Sequence, residues 1–473
     1  MQKNDSKSLR NRINATVRDI PRSGIRDFFD IVSTMKDVIS LGIGEPDFDT
    51  PWHVRESTVF ALERGVTHYT SNFGYLELRQ ALAKYVGRKF GAEYNPENEI
   101  LITVGVSEAL DLALRALVSP GDQVLYHEPC YVSYRATILF AHGVPVAVET
   151  KPENGFRLTR AMLEAKVTPK TKVLMLNFPN NPTGAVMGRQ DLEDIAAFAR
   201  ERDLIVVTDE IYGELTYDSP HTSIVSLPGM RGRTIFLHGF SKAWAMTGYR
   251  LGYACGPAEL IEAMMKIHQY TMLCASSLGQ KAAIEALARP DSDVGEMVDE
   301  YRRRRNFIAA ALADMGIECH RPLGAFYAFP SVAKFGLKSK DFSLKLLEEE
   351  KVAAVPGTAF GNCGEGFIRC AYATSMDNLK EAMTRLRRFI GRRYSPPVTA
   401  ETPGPRRGQR LWAVGRLAEG EQPHWFSFRG AGALRLSSLT SSVRPRGSPR
   451  CQRKIVFPFP VAARRVAGPA RPP

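Results

Sequence analysis

The sequence lacks the features that mark membrane-spanning and secreted proteins. No apolar run approaches the roughly 18 residues needed to cross a bilayer, and the opening residues, MQKNDSKSLR, contain no apolar segment of a secretory signal. The seven cysteines form no C-x-x-C pair, and their odd number favours reduced thiols over a disulfide framework. We therefore expect a cytoplasmic protein with no membrane partner, and no metal site is predicted.

The basic charge of the chain is concentrated at one end. Residues 395–473 hold 14 Lys+Arg against 3 Asp+Glu, which leaves 49 against 47 in residues 1–394. The terminal segment is rich in Pro, Gly, Arg and Ser without a sustained period, which predicts a disordered basic tail. A nucleic-acid-binding arm is the alternative, but the arginines are dispersed and the electrostatic case for it is weak.

The first 394 residues alternate apolar runs with amphipathic segments. The runs that predict strands are Ile100–Val104, Gln123–His127, Pro145–Val148, Val173–Phe178, Leu204–Thr208 and Thr234–Leu237. Glu108–Val118 and Asp191–Arg200 carry apolar residues at helical spacing. Strands that alternate with helices predict an α/β fold with a mostly parallel central sheet flanked by helices.

The length of 473 residues exceeds what a single core usually supports. A second α/β-like portion follows from about Val298, and the N-terminal stretch to Thr50 is expected to join it. The predicted division is therefore a large domain at 51–297, a smaller α/β domain built from 1–50 and 298–394, and the tail at 395–473.

Lys242 is the first candidate for chemistry. It follows the strand-like run Thr234–Leu237 in a turn of small and apolar residues, where a solvated charge is unusual. Desolvation and nearby cations lower the pKa of an amine and make it nucleophilic enough to form a Schiff base. Ser241 and Arg250 supply a hydroxyl and a guanidinium suited to a phosphate dianion.

Two further candidates also follow predicted strands. Asp209 ends the run Leu204–Thr208, and ligands of parallel sheets bind beyond the carboxyl ends of strands. An aspartate there either caps a helix or pairs with a protonated pyridine nitrogen, and Tyr212 can reach the ring's phenolic oxygen. Asn181, in NFPNNPTG, either belongs to a plain turn or hydrogen-bonds a ring oxygen and a substrate carboxylate.

The segment Val104–Glu108 lies between a predicted strand and a predicted helix, so backbone N–H groups at Val106 and Ser107 can bind an anion. Ser107 is either a helix N-cap or a phosphate donor. Tyr131 follows another strand and either packs in the core or stacks on a flat ring. Arg369 stands inside an apolar run, where a buried guanidinium needs a structural Asp or Glu or a bound carboxylate.

These motifs, in this order, resemble the fold-type I pyridoxal 5′-phosphate enzymes, and within them the class I/II aminotransferases related to aspartate and aromatic aminotransferases. The resemblance runs from about Ile39 to Arg392. It implies a transaminase that moves an amino group from an amino acid to a 2-oxo acid by a ping-pong mechanism through a Lys242 Schiff base.

The resemblance also implies a role for each site residue. Lys242 moves the substrate proton, Asp209 holds the pyridinium, and Tyr212 and Asn181 bind the ring oxygen. Tyr131 stacks on the ring, and the phosphate is held by Val106, Ser107, Ser241 and Arg250. Arg369 and Asn181 bind the substrate carboxylate, and Gly44 lies in a loop over the substrate. Tyr69 is implied to reach the phosphate of a neighbouring subunit, which predicts a homodimer with shared active sites.

Two other functions compete with transamination. The same motifs would serve another reaction on this scaffold, such as a C–S β-lyase or a decarboxylase-like enzyme. A pyridoxal phosphate-binding regulator is less favoured, because only about forty residues precede Leu41 and a separate DNA-binding domain needs more.

Overall fold

The computed structural model describes residues 9–21 and 35–394. Its strands are β1 (Ile39–Ser40), β2 (Ile100–Thr103), β3 (Gln123–Glu128), β4 (Val144–Glu149), β5 (Thr171–Leu176), β6 (Ile205–Asp209), β7 (Thr234–Gly239), β8 (Gly252–Cys255), β9 (Tyr327–Ala328), β10 (Val352–Ala353), β11 (Val355–Pro356) and β12 (Ile368–Ala371). Its helices are α1 (Ala15–Asp19), α2 (Trp52–Glu63), α3 (Leu76–Phe90), α4 (Gly105–Leu117), α5 (Ser133–Phe140), α6 (Arg160–Glu164), α7 (Arg189–Glu201), α8 (Ala258–Thr271), α9 (Ser277–Ala286), α10 (Pro290–Asp314), α11 (Ser339–Glu350) and α12 (Met376–Tyr394).

The central sheet has seven strands in the order β2-β8-β7-β6-β5-β3-β4. All neighbours pair in parallel except β8, which runs antiparallel to both β2 and β7. Each of the six predicted strand segments overlaps a strand of this sheet. The predicted α/β fold with a mostly parallel sheet is confirmed.

Both faces of the sheet are buried, which explains why its strands read as apolar runs rather than as alternating patterns. Successive side chains of a strand point to opposite faces. On β7, Phe236 packs into one apolar cluster, whereas Ile235 and Leu237 pack into another. All three side chains have no exposed surface, so the helices on the two sides of the sheet hold β7 in one register.

The sheet brings several of the candidate residues to one edge. Asp209 is the last residue of β6, and Asn177 directly follows β5. Lys242 lies three residues beyond the end of β7. Because parallel strands end at the same edge, these side chains converge there although they are far apart in sequence.

The smaller sheets lie outside the central one and use both ends of the described chain. β1 pairs in parallel with β10, and β12 lies between β11 and β9 in an antiparallel sheet. They pack with α10, α11 and α12 around a separate apolar cluster that includes Tyr301, Phe326, Leu346 and Leu379. This cluster buries aromatic and aliphatic side chains at about 1.5–3 kcal/mol each relative to exposure.

Two predicted boundaries fall inside helices of the structure. The helix predicted from Glu108 begins at Gly105, with Val104 at its N-cap position. Ser107 therefore lies inside the first turn, and the interpretation of Ser107 as an N-cap is wrong. The boundary predicted at 297/298 falls within α10. All described residues belong to one compact unit, Met1–Glu401, so the division into two domains stays a prediction.

Within the described residues, no helix is both long and apolar enough to span a bilayer. Six cysteines are described and all are free thiols; Cys451 lies outside the described residues. The predicted disordered tail, 395–473, also lies outside them.

Candidate active site

A cavity of about 970 Å³ opens at the carboxyl edge of the central sheet. This is within the usual size of a small-molecule site, about 300–1,000 Å³. Every site residue predicted from the sequence lines the cavity except Tyr69; these residues are Gly44, Val106, Ser107, Tyr131, Asn181, Asp209, Tyr212, Ser241, Lys242, Arg250 and Arg369. The fold therefore brings eleven of the twelve predicted residues together.

The amine of Lys242 lies inside this cavity. Its Nζ donates a hydrogen bond of 2.6 Å to the carbonyl oxygen of Gly44. Burial lowers the pKa of Lys242 to about 8, and the positive charges of Arg369 and Arg250 act in the same direction, against the opposing charge of Glu45. A neutral, nucleophilic form of this amine is therefore accessible near physiological pH.

Asp209 is buried at the floor of the cavity and both of its carboxylate oxygens are held. Oδ2 accepts a hydrogen bond of 2.8 Å from the Tyr134 hydroxyl, and Oδ1 accepts one of 3.2 Å from the backbone N–H of Ile211. Burial raises the pKa of Asp209, while the two hydrogen bonds favour its charged form. Residues 210–213 form a turn rather than a helix, so Asp209 is not a helix N-cap.

The Asn177 side chain connects two of the predicted site residues, Asp209 and Asn181. Its Nδ2 donates a hydrogen bond of 2.8 Å to the backbone carbonyl of Asp209, and its Oδ1 accepts one of 3.3 Å from the backbone N–H of Asn181. The asparagine side chain therefore fixes the end of β6 relative to the turn that carries Asn181.

The first turn of α4 lines one end of the cavity. The first N–H groups of a helix have no intrahelical acceptor, and Val106 and Ser107 are in this turn. β8 passes very close behind it, since a Cβ on Gly252 would lie 2.6 Å from the nitrogen of Val106. The guanidinium of Arg250 donates to the carbonyl of Thr247 at 3.3 Å, which leaves most of its N–H groups available to an anion.

Arg369 is a second cationic group of the cavity. It is buried and donates to Asn181 Oδ1 at 3.0 Å and to the carbonyl oxygen of Gly42 at 2.5 Å. Both acceptors are neutral, and the buried Nε has no partner. The structural Asp or Glu that sequence reasoning left open does not pair with Arg369 in the described part of the chain. The guanidinium is therefore ready to bind a carboxylate.

Four tyrosines line the cavity beside these charges. The Tyr131 ring packs edge-on against Tyr134, with ring centroids 5.8 Å apart. The hydroxyls of Tyr212 and Tyr327 are 2.7 Å apart and both residues are buried. Tyr327 also lies under Arg369, with 4.6 Å between Cζ and the ring centroid. Aromatic walls of this kind suit a flat ligand.

Tyr69 is the exception among the predicted residues. It does not line the cavity, and 82% of it is exposed. Its loop is anchored to the end of α8, because the Asn72 Nδ2 donates a hydrogen bond of 2.7 Å to the carbonyl of Leu273. The predicted contact of Tyr69 with a neighbouring subunit stays a prediction.

Sequence reasoning missed roles for Tyr134, Asn177 and Tyr327. Tyr134 lies in the first turn of α5, and its ring packs against that of Tyr131, which precedes the helix. Asn177 opens the same turn that carries Asn181. Tyr327 lies in the apolar run GAFYAF and carries no local signal, because its contacts come from residues far away in the sequence.

The residues of the cavity fit pyridoxal 5′-phosphate. The group needs an amine to bond its aldehyde, a carboxylate for its ring nitrogen and an anion cradle for its phosphate. Within the described residues, the half-buried Lys242 amine has only a carbonyl oxygen as its hydrogen-bond acceptor. Asp209 keeps both oxygens fixed, and the first turn of α4 with Arg250 provides the cradle.

The site combines a half-buried lysine, a buried carboxylate and two arginines that have no acidic partner among the described residues, at the carboxyl edge of a mostly parallel sheet. The family model for aminotransferase class I and II matches residues 36–386, and the chain belongs to this family. It is an aminotransferase by this membership and by its relatives.

Two relatives and one solved structure illustrate the similarity. The chain is 52% identical to the putative aminotransferase YugH of Bacillus subtilis, over 79% of this chain and 97% of that protein. It is 48% identical to an aspartate aminotransferase of Pyrococcus abyssi, over 78% of this chain and 95% of that protein. The crystal structure of an aromatic aminotransferase from Pyrococcus horikoshii superposes with a TM-score of 0.74 at 46% identity. The match covers 78% of this chain and 99% of that one.

Proposed function

We propose that this aminotransferase binds pyridoxal 5′-phosphate through Lys242 and moves an amino group from an amino acid to a 2-oxo acid in two half-reactions. The convergence of Lys242, Asp209 and Arg369 in one cavity is the observation that carries the proposal. When bound, the cofactor supplies an aldehyde that bonds amino groups covalently and a ring that withdraws electrons from the substrate Cα.

Lys242 is the proton-transfer group of this proposal. Its lowered pKa, about 8, allows the amine to accept a proton from the substrate Cα and to return it to C4′, the former aldehyde carbon of the cofactor. The Gly44 carbonyl, 2.6 Å from Nζ, holds the amine on one side of the cavity. General acid–base transfer by a positioned amine contributes about 10²–10⁴-fold to the rate.

Asp209 keeps the ring nitrogen protonated, and Tyr134 and Ile211 keep Asp209 in place. Two hydrogen bonds to the carboxylate stabilise its charged form against burial. A charged Asp209 would stabilise a positive ring nitrogen, and the cofactor would then withdraw electrons more strongly from the reacting carbon.

The two arginines bind the two anions of the reaction. Arg250, Ser107 and Ser241 bind the phosphate together with the N–H groups of the α4 first turn. Arg369 binds the substrate carboxylate, and Asn181, which accepts from Arg369 at 3.0 Å, orients the guanidinium.

We also propose a homodimer. Exposed large apolar side chains occur on α2, on the Tyr69 loop and at the end of α8; they are Trp52, Val59, Phe60, Leu62, Tyr69, Tyr270, Met272 and Leu273. Hydrogen bonds from Asn72 to Leu273 and from Ser277 to Val66 hold the loop and α8–α9 together. An exposed apolar surface of this extent supports burial against a second copy.

A cytoplasmic location is the corresponding proposal for the compartment. Six described cysteines are free, and three of them are buried, as expected where thiols stay reduced. Fractionation of the native host, with the protein detected by antibody, would test this location.

The reaction is tested by mixing stoichiometric enzyme and cofactor with one amino acid at a time and without a 2-oxo acid. Transamination converts one equivalent of cofactor into its amine form, with one equivalent of 2-oxo acid, and then stops. Continuous release of pyruvate and ammonia from a β-substituted amino acid would instead establish a β-lyase. Lys242→Ala should lose nearly all turnover, and Lys281→Ala is the matched lysine control, because Lys281 pairs with Glu77 outside the cavity.

A further inference from the structure

Tyr327 lies where the candidate site residues meet, although no sequence motif singles it out. It belongs to β9, and β9 pairs with β12, the strand that carries Arg369. Tyr327 contacts Tyr212, Arg369 and the loop at Gly44. We propose that Tyr327 is a positioning residue for both the cofactor and the substrate carboxylate: its hydroxyl orients the Tyr212 phenol and its ring orients the Arg369 guanidinium. The inference rests on the proposed function.

The hydroxyl contact determines which way the Tyr212 proton points. The two phenolic oxygens are 2.7 Å apart, and either can donate. Tyr212 has a single proton, so when it donates to the ring oxygen of the cofactor, Tyr327 must donate to Tyr212. A phenol that accepts one hydrogen bond donates another more strongly, because hydrogen bonds in a chain polarise one another. Tyr327 therefore strengthens the hydrogen bond that Tyr212 makes.

The ring contact orients the carboxylate-binding group. The Arg369 Cζ lies 4.6 Å from the centroid of the Tyr327 ring and 4.8 Å from that of Phe360. A guanidinium between two aromatic rings has its plane restricted while its N–H edge stays available. Because Asn181 accepts from one end of this edge at 3.0 Å, the orientation of the guanidinium is set before a carboxylate binds.

The third contact connects Tyr327 to the lysine. A Cβ built on Gly44 would lie 2.6 Å from the Tyr327 hydroxyl oxygen, so the loop and the phenol are in direct contact. The same glycine accepts the hydrogen bond from Lys242 Nζ. Tyr327 therefore packs against the segment that holds the reactive amine as well as against Tyr212 and Arg369.

Tyr327→Phe removes only the hydroxyl and Tyr327→Leu removes the ring as well. In the Phe variant, the pH midpoint of the cofactor absorbance change should rise, because a weaker Tyr212 hydrogen bond stabilises the deprotonated cofactor form less. A shift of roughly 0.5–1 pH unit corresponds to one ordinary hydrogen bond. The dissociation constant of a substrate-like carboxylic acid without an amino group should change less than about twofold, since the ring remains over Arg369.

In the Leu variant, that dissociation constant should rise about tenfold, as expected from the loss of a desolvated cation–π contact. The control is Tyr94→Phe, because the Tyr94 hydroxyl is buried without a partner and lies outside the cavity. It should leave both quantities unchanged. If Tyr327 had only a structural role, the pH midpoint and the dissociation constant would change together in both variants. The Phe variant would then not change the midpoint alone.

The outcomes distinguish this inference from the proposed function. If Tyr212→Phe raises the midpoint and Tyr327→Phe leaves it at the wild-type value, the inference is overturned and the proposed function stands. If the wild-type protein takes up no pyridoxal 5′-phosphate in the absorbance titration, the proposed function itself is overturned. A raised midpoint in Tyr327→Phe with an unchanged carboxylate affinity supports the inference.

Discussion

The Tyr134 hydroxyl donates a 2.8 Å hydrogen bond to Oδ2 of Asp209, from a helix that follows β3 to a carboxylate that ends β6. Both residues are buried. Burial raises the pKa of Tyr134 well above its ordinary value, so the phenol stays protonated and remains a donor. The carboxylate of Asp209 is therefore oriented before a cofactor binds.

Tyr134→Phe should lower kcat and weaken cofactor affinity about tenfold each. A hydrogen bond to a charged group is worth about 1.5–3 kcal/mol, and its loss leaves Oδ2 of Asp209 without its donor. The checks are steady-state kinetics and fluorescence titration of the apoenzyme with pyridoxal 5′-phosphate. Tyr253→Phe is the matched control, since the Tyr253 hydroxyl is buried without a partner; equal losses in both variants would contradict a specific role for Tyr134.

Gly252→Ala should weaken cofactor binding at least tenfold while the fold is retained. Its Cβ would lie 2.6 Å from the Val106 nitrogen and from the Gly105 carbonyl carbon, so the first turn of α4 must move. Equilibrium titration measures the affinity, and circular dichroism checks the fold. The companion variant is Gly248→Ala, whose added Cβ meets nothing within 4 Å. Wild-type affinity in Gly252→Ala would show that the turn does not hold the phosphate.

Arg369→Lys should raise KM for the amino donor about ten- to a hundredfold, because an ammonium cannot replace a guanidinium that binds bidentately between two rings. The cofactor absorbance should stay that of the wild type, as Arg369 lies at the substrate end. Kinetics with a series of amino acids test this. An unchanged KM across the series would mean that the substrate carboxylate binds elsewhere.

Mixing two inactive variants tests whether active sites are shared between subunits. Lys242→Ala lacks the amine, and Tyr69→Ala lacks the exposed ring predicted to reach the neighbouring subunit. If Tyr69 serves the partner's site, a hybrid dimer contains one complete site, and activity should return after the two variants are unfolded and refolded together. No recovery, with dimers present by analytical ultracentrifugation, would place Tyr69 outside the shared site.

Much of the fold and site can be predicted from the sequence, and the exceptions have physical reasons. Buried parallel strands leave continuous apolar runs, so the six predicted segments match strands. Asp209 and Lys242 follow such runs, so their positions at one sheet edge were predictable. The strand β8 was not predicted, because Gly252–Cys255 is short and begins with a glycine. A glycine is needed there because the backbone lies very close to the first turn of α4, which the sequence does not reveal.

The residues that position others are harder to predict. Tyr134 and Tyr327 act through side chains 75 and 115 positions away, and the sequence contains no period or turn signal for such contacts. The start of α4 was placed three residues late because Gly105 has a positive φ of 75° and reads as a loop residue rather than as the first residue of a helix.

The proposed reaction of the Lys242 amine with the cofactor aldehyde can be tested directly, because its rate depends on the pKa of that amine. Apoenzyme is mixed with pyridoxal 5′-phosphate at pH values from 6 to 10, trapped with borohydride after a short interval, and digested for mass spectrometry. The pKa of Lys242, about 8, predicts that early labelling is confined to the Lys242 peptide and rises with pH through about 8, as the neutral amine becomes available. Labelling spread over surface lysines, or a Lys242 peptide that stays unmodified, would contradict the account.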